Sequence, residues 1–356
     1  VYNEHMRTPT WFARQRRLLQ AKPQGYAVPP PQPLRGAYAR NERLAQLERF
    51  AFAKGADGPE SLAIDRDGTL VTGFQDGGVR RFDARGQLLE LVVETGGHPL
   101  GLRFHPDGSL LICDAARGLL RHRQGRPLEV LADRAEGISI AFADDLDIDQ
   151  SGRHVYFSDA CAHWRFGEDQ LAMVEHAGTG RLLHYDMETR RTRVLVRDLQ
   201  FANGVSLGPD GQYVLVTETG GFRVHRHFLK GPRTGQTEVW LDNLPGYPDN
   251  IRYNGNGRFW LAIPVPRNTL ADLIAPLPAL RWGLIQLSPI LRFPIAHAAI
   301  ALCFDTAGHL VANLQSHAAD CYSEITQVLE HEQTLYVSSF HRPSLARMPL
   351  GAALPS

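Results

Sequence analysis

Six short polar clusters stand out because each opens the same kind of segment: Glu60, His98, Asp144 with Asp145, Asn203, Asp249 with Asn250, and Ser323 with Glu324. Five of the six supply a carboxylate or a carboxamide. If the fold gathers these openings into one small volume, like charges and desolvation must push the carboxyl pKa values up. A hard cation relieves that conflict. Asp, Glu and Asn oxygens, with no Cys and His at most peripheral, suit Ca²⁺ better than Zn²⁺ or copper, and Mg²⁺ prefers a compact shell rich in water. His98 is the member best suited by type to act as a general base, because imidazole titrates near neutrality. Each residue alone reads equally well as turn chemistry before a strand. Their recurrence at one phase of a repeat favours the metal.

The repeat that carries them is a β-hairpin with variations: alternating apolar residues, an Asp/Asn-x-Gly turn, then a second strand rich in β-branched and aromatic residues. It occurs at 60–72 (ESLAIDRDGTLVT), 98–112, 144–157, 203–216 and 249–261, with a looser copy at 323–337. Further strand signals follow at 79–82, 119–122, 182–185 and 223–227. Three or four strands per unit, six times over, predict an all-β, six-bladed β-propeller with a short helical insertion. The first strand of each blade then lines a central channel, and the six openings converge at one end of it.

The map of the chain follows. Residues 1–45, with the Pro-rich string AVPPPQPLRG, read as an extended or partly disordered arm. Residues 46–350 form the propeller, with a strand at 47–53 placed to close the ring on the last blade, and 351–356 are a tail. The insertion at 266–293 carries apolar residues at mostly helical spacing. It reads as a helical pair packed on the propeller, or as a lid over the channel or a patch making peripheral membrane contact.

Composition excludes several classes. The 356 residues hold 38 Lys+Arg and 38 Asp+Glu, so the basic surplus of a nucleic-acid binder is absent. Only Lys22, Lys54 and Lys230 are lysines, which disfavours Schiff-base chemistry. The four cysteines, Cys113, Cys161, Cys303 and Cys321, are too scattered for a zinc or CxxC site. There is no GxSxG elbow, against a serine esterase of the α/β-hydrolase kind. No apolar run reaches membrane-spanning length, and a chain opening on Val1 leaves room for a removed signal peptide.

The strings WRFGEDQLAMVEHAGTGRLLHYD, FANGVSLGPDGQYVLVTET, LPGYPDNIRYNGNGRFWLAI and LEHEQTLYVSSF resemble the strictosidine synthase-like family, over about residues 45–350. That family is related to the adipocyte plasma membrane-associated proteins and, more distantly, to paraoxonases and gluconolactonase/regucalcin hydrolases. The resemblance implies a six-bladed propeller with a central divalent metal, usually calcium, and hydrolysis of lactones or esters in the hydrolase branches. Carried over by motif, the ligands fall on Glu60, Asn203 and Asp249, with Asn250 beside or in the shell. The third-blade position is usually Asn; here Asp144 stands there, which adds charge, tightening the metal while weakening its Lewis acidity. Plant synthases of the family carry a catalytic glutamate shortly before a Glu-His pair in the last blade. Counting back from Glu330-His331, that position is Thr326, with Glu324 two residues away on the same face of a strand.

The leading expectation is therefore a calcium-dependent lactonase or arylesterase-like hydrolase of a small-molecule substrate, with His98 as base. A Pictet-Spengler condensing enzyme using Glu324, or a non-catalytic binding propeller with a structural ion, are the alternatives. His163 and Trp164 in the third-blade loop, and Glu218, are read as substrate-pocket residues, each with an equally simple reading as a loop or strand-end residue.

Overall fold

Each Asp/Asn-x-Gly turn closes as its residues dictate. In the first repeat Asp65 N–H donates to Thr69 O at 2.9 Å, Asp67 Oδ1 accepts from Thr69 N–H, and Gly68 sits at φ 81°, where a side chain would be strained. The computed structural model describes residues 11–30, 34–51, 58–288 and 296–354. Six four-stranded antiparallel sheets follow one another around a ring. The first blade runs Leu62–Ile64, Leu70–Gly73, Gly78–Phe82 and Leu88–Glu94; the second Pro99–Phe104, Leu110–Asp114, Gly118–His122 and Glu129–Ala132. The third comprises Ala143–Ile148, His154–Asp159, Gly180–Asp186 and Arg191–Leu199, and the fourth Ala202–Leu207, Tyr213–Glu218, Arg223–Phe228 and Thr237–Leu241. The fifth holds Ile251–Tyr253, Arg258–Ala262, Ala299–Asp305 and Leu310–Ser316. The sixth holds Ile325–His331, Thr334–Ser339 and Ser344–Pro349, and borrows its outer strand, Glu48–Ala51, from before the first blade. That closing strand was expected; residues 52 and 53 of it lie outside the described residues.

The core is interdigitation between neighbouring blades. Val71 and Val79 meet Leu102 and Ile112; Leu111 and Cys113 meet Phe157 and Leu183; Leu182 meets Val205 and Val216. Leu215 packs on Phe259 and Leu261, Trp260 and Leu314 on Val328 and Val337, and Tyr336 with Leu345 on Leu62 and Phe82. Fully burying one such aliphatic or aromatic side chain is worth roughly 1.5–3 kcal/mol. All four cysteines are unpaired and buried in these layers or near them.

In every blade the first strand begins, and the second ends, at the same end of the ring. Two second-to-third-strand connections are enlarged there. Residues 160–179, in the third blade, contain the helix α2 (Asp169–Glu175); residues 263–298, in the fifth, contain α3 (Thr269–Ile274) and α4 (Pro278–Leu287). The arm is not extended as expected, because Trp11–Gln20 forms a helix, α1, whose Leu18, with Ala21 just beyond it, packs on Cys161, Trp164, Leu171 and Ile285. Among the described residues Leu18 and Ala21 face that cluster, too short a pattern to read beforehand. Beyond it, Asn41 and Glu42 strap the arm to the fifth blade by hydrogen bonds with Gln315, Ser316 and His317. Residues 289–293 of the expected insertion lie outside the described residues. No described helix is long and apolar enough to cross a membrane.

Candidate metal and catalytic site at the channel mouth

The first strands do not start as plain ladders. Pro99 pairs with Asp114 but Leu102 with Ile112; Ala143 with Asp159 but Leu146 with Phe157; Ala202 with Glu218 but Val205 with Val216. Each first strand therefore carries one extra residue, a β-bulge that re-aims side chains. The bulged pairs are Leu100-Gly101, Asp144-Asp145 and Asn203-Gly204. Glu60 and Asp249 hold the same phase, two residues before Leu62 and Ile251, where pairing begins. In the sixth blade Thr326 is the unpaired residue between Ile325 and Gln327. Its hydroxyl donates to Glu60 O at 2.6 Å and its carbonyl accepts from Asn250 N–H at 3.1 Å, so the ring is contiguous across the seam.

Four expected ligand residues, Glu60, Asp144, Asn203 and Asp249, thus share one phase, with Asn250 next in line, and all five are buried. Two blades differ from the sequence reading. Their ring positions are held by Leu100 and Thr326, and His98 and Glu324 each stand two residues earlier. Glu324 precedes its strand with φ 59°, so strand alternation does not put it on one face with Thr326.

The electrostatics are those of a crowded acid ring. Burial, then the Asp144, Asp249 and Asp145 charges, hold Glu60 well above the usual carboxylate range. Burial and Asp249 do the same to Asp144, and burial with Asp145 pushes Asp249 up to about 8, against the hydrogen bond it receives from Asn203. Asp144 Oδ1, Asn203 Oδ1, Asp249 Oδ1 and Asn250 Oδ1 are buried with no hydrogen-bond partner. An unpartnered buried oxygen ordinarily costs about 1–3 kcal/mol, and four among neighbouring ring residues make a donor set suited to a hard cation. Among the described residues no three His, Cys, Asp or Glu side chains form a closed ligand group; the set is mixed, half carboxylate and half carboxamide.

Beneath the ring lies a feature the sequence reading missed. Asp145 is gripped by both terminal nitrogens of Arg252 at 2.5 Å and accepts Val205 N–H at 2.7 Å, with both side chains essentially inaccessible. One layer farther along, Arg103 pairs with Asp147, which also accepts Leu207 N–H. The bulge explains the oversight: alternation would turn Asp145 away from Asp144, whereas the extra residue keeps both inside. Charged residues inside otherwise apolar first strands, at 103, 147 and 252, were the available signal. Gly204 explains the FANGV string. A Cβ there would stand 2.5 Å from Asp249 O and 2.6 Å from Asn250 Cα, so only glycine lets the fourth and fifth first strands approach.

Above the ring, His98 lines a narrow cleft with Glu60, Leu100, Phe74, Phe166 and Phe340. Its ring stacks on Phe166 at 4.1 Å, and its Nδ1 is 3.2 Å from Gln75 O. A carbonyl can only accept, so Nδ1 carries the proton and Nε2 is left as the basic nitrogen. Phe142, Phe201 and Phe340 extend the aromatic wall. Asp169, at the start of α2, was not anticipated. It is exposed to solvent, and its charge is felt by Glu60 and Asp144.

The other pocket residues lie elsewhere. Trp164 is wholly buried in the cluster between α1, α2 and α4, its indole N–H donating to Glu175 Oε2 at 2.6 Å. His163 stacks on Trp164 and leans toward Glu175. Glu218, inaccessible at its strand end, takes hydrogen bonds from Arg223, His225 and Gln200 N–H, which hold its pKa down to about 2. Glu218 is thereby tied to its own hairpin, while His163 and Trp164 belong to the helical cluster and not to the ring.

Comparison with known proteins agrees with this architecture. The strictosidine synthase family model matches residues 144–232, and the strictosidine synthase-like N-terminal model residues 36–82. The adipocyte plasma membrane-associated protein of Rattus norvegicus is 30% identical, covering 92% of each chain. Strictosidine synthase-like protein 6 of Arabidopsis thaliana is 33% identical over 87% of this chain and 84% of its own. Among solved structures, a gluconolactonase of Xanthomonas campestris aligns with a TM-score of 0.61 at 17% identity, over 94% of this chain and 99% of that one. The calcium-binding protein regucalcin of Agrobacterium tumefaciens aligns at 0.58 and 15%, over 85% and 93%. At these identities the solved structures speak for the fold.

Proposed function

The chain belongs to the strictosidine synthase-like family, and from that premise we propose that it is a calcium-dependent hydrolase of lactones or esters. The observation that carries the proposal is the set of unpartnered oxygens on Asp144, Asn203, Asp249 and Asn250 beside the raised carboxyl of Glu60. Those five residues would hold the ion. When bound, a hard cation polarises a carbonyl and stabilises the oxyanion that develops on it, a contribution of several kcal/mol to the barrier.

The chain's own groups supply the rest. The aromatic wall of Phe142, Phe166, Phe201 and Phe340 excludes water from all but the reacting end and seats the apolar part of a substrate. His98, fixed with Nε2 unprotonated, accepts the proton of the attacking water; Asp169, whose charge is felt by Glu60 and Asp144, is the second acceptor. The gluconolactonase and calcium-binding neighbours support this reading by fold alone.

A condensing activity is disfavoured at Thr326, whose hydroxyl is committed to Glu60 O and carries no carboxylate to deprotonate an amine. The test is hydrolysis of phenyl acetate and γ-lactones with calcium and with chelator, alongside calcium titration calorimetry. Turnover that requires calcium, and loss of both binding and turnover in Asn203→Ala and Asp249→Ala, is expected. Retained activity in those variants refutes the site. Calcium binding without turnover of any ester or lactone leaves the non-catalytic binding propeller as the answer.

A further inference from the structure

The helix α4 is inverted. A helix on a protein surface ordinarily turns charge outward and apolar residues inward. Here the inward face carries Arg281, 2% exposed, beside Ile285, and the outward face carries Leu280 and Leu287, each about half exposed. Arg281 is engaged inside: its two terminal nitrogens donate to the carbonyls of Val174, Glu175 and Gln24, pinning α2 and the arm to α4. The outward apolar face continues over Leu270 and Leu273 of α3, 68% and 67% exposed, Trp282 of α4, and Leu19 of α1. Single exposed leucines are ordinary; a run of them on adjoining helices marks a partner.

The charges say which partner. Between residues 269 and 288 the charged residues are Asp272, which accepts from Arg267 at 3.0 Å, and the buried Arg281. No free acid therefore interrupts the face. At its border Arg16, one turn before Leu19, and Lys22 are exposed cations with no described side-chain partner, and the stretch after Lys22 runs beside α3 and α4, where a Cβ at Gly25 would stand 3.5 Å from Pro276 O and Gln24 O accepts from Arg281. An apolar face free of unpaired charge, carrying one indole and edged by cations, matches the interface of a bilayer with anionic headgroups. The helices are far too short to span one, so the face would lie in the headgroup boundary.

We propose that this helical cap is a docking surface for an anionic lipid bilayer. It stands on the mouth side of the channel: Phe201 packs both on the cap cluster and on the aromatic wall above the acid ring. The inference is independent of the hydrolase reading. The experiment is co-sedimentation of the full chain with phosphatidylcholine vesicles, with and without 30% phosphatidylglycerol, at low and high salt. Salt-sensitive binding to the anionic vesicles is expected, with quenching by lipids brominated near the headgroup that is lost in Trp282→Phe. Leu280→Glu/Leu287→Glu should weaken partitioning by about tenfold or more, and Arg16→Gln/Lys22→Gln by about fivefold per charge. The second pair guards against misfolding in the first, and circular dichroism checks both. No partitioning at low salt overturns the proposal, as does partitioning unchanged in either pair. A mass doubled in solution and restored to one chain by Leu280→Glu/Leu287→Glu would likewise overturn it, in favour of a second copy covering the face.

Discussion

Replacing Arg252 by Leu tests whether the buried ion pair and the acid ring above it form one electrostatic unit. The pair is bidentate and inaccessible, so removing the guanidinium strands the Asp145 anion in the interior. Breaking a buried pair from one side costs about 3–5 kcal/mol. The surviving bond from Val205 N–H places the loss toward the lower end. Asp145 also raises the carboxyls of Glu60, Asp144 and Asp249, an effect that Arg252 opposes at Asp144 and Asp249. Without Arg252 the ring becomes more repulsive, so the deficit should be largest in chelator and shrink when calcium is supplied. Asp145→Leu/Arg252→Leu removes both charges; the Val205 amide loses its acceptor, and the Val205 and Ile251 carbonyls lose the Arg252 donor, a loss of about 1–3 kcal/mol for the stranded amide. The double variant should be more stable than Arg252→Leu alone. The assay is urea unfolding of the four chains of the cycle, each with calcium and with chelator. Single losses under about 1 kcal/mol that simply add would refute the buried pair. A deficit indifferent to calcium would refute its link to the ring.

Asp249→Asn should stabilise the metal-free chain and abolish the extra stability conferred by calcium. In wild type the native carboxyl keeps its proton between pH 3.8 and about 8 while the unfolded one does not, so metal-free stability should fall as pH rises through that range, and the variant should flatten the slope. Unfolding in chelator across pH 5–9 reads this, and a variant no more stable than wild type counts against it. Gly204→Ala must displace the backbone of Asp249 and Asn250 and should cost about 1–3 kcal/mol together with calcium affinity. Gly283→Ala, in open space on α4, is the control and should be neutral or stabilising by about 1 kcal/mol. His176, stacked on Tyr26 at 3.3 Å, is lowered to about 3 by burial, so it stays neutral when folded and takes a proton when unfolded below about pH 6.5. Stability should therefore drop by about 2 kcal/mol between pH 6.5 and pH 5. His176→Asn, which tolerates the φ of 53° there, should remove that slope; an unchanged slope assigns it to other groups.

The blades were legible in the sequence because alternation and Asp/Asn-x-Gly turns are local. Glu60, Asn203 and Asp249 were legible because they recur at one phase of a repeat. His98 and Glu324 were placed on the ring because they open their segments, but the bulge hands the ring positions to Leu100 and Thr326, and a bulge has no signature in one strand alone. Asp145 was hidden for the same reason. Trp164 and Glu218 illustrate another limit: an aromatic in a long loop looks exposed until α1 arrives from the start of the chain, and an acid at a strand end looks free until Arg223 and His225 of the next strand close on it. Asp169 was invisible because its importance depends on α2 folding back over the channel.

The closing strand Glu48–Ala51 meets its partner 299 positions away, where Arg347 pairs with Glu48. A ring latched by such remote segments cannot lock until nearly the whole chain has left the ribosome, which makes final closure a late and slow event. Until then Ser344–Pro349 is an open edge with unpaired amides, receptive to the equivalent strand of another molecule. Those four residues thus serve as a guard against domain exchange and filament growth. Trimming them would leave the acid ring's residues in the sequence while removing the hoop that keeps them facing one another.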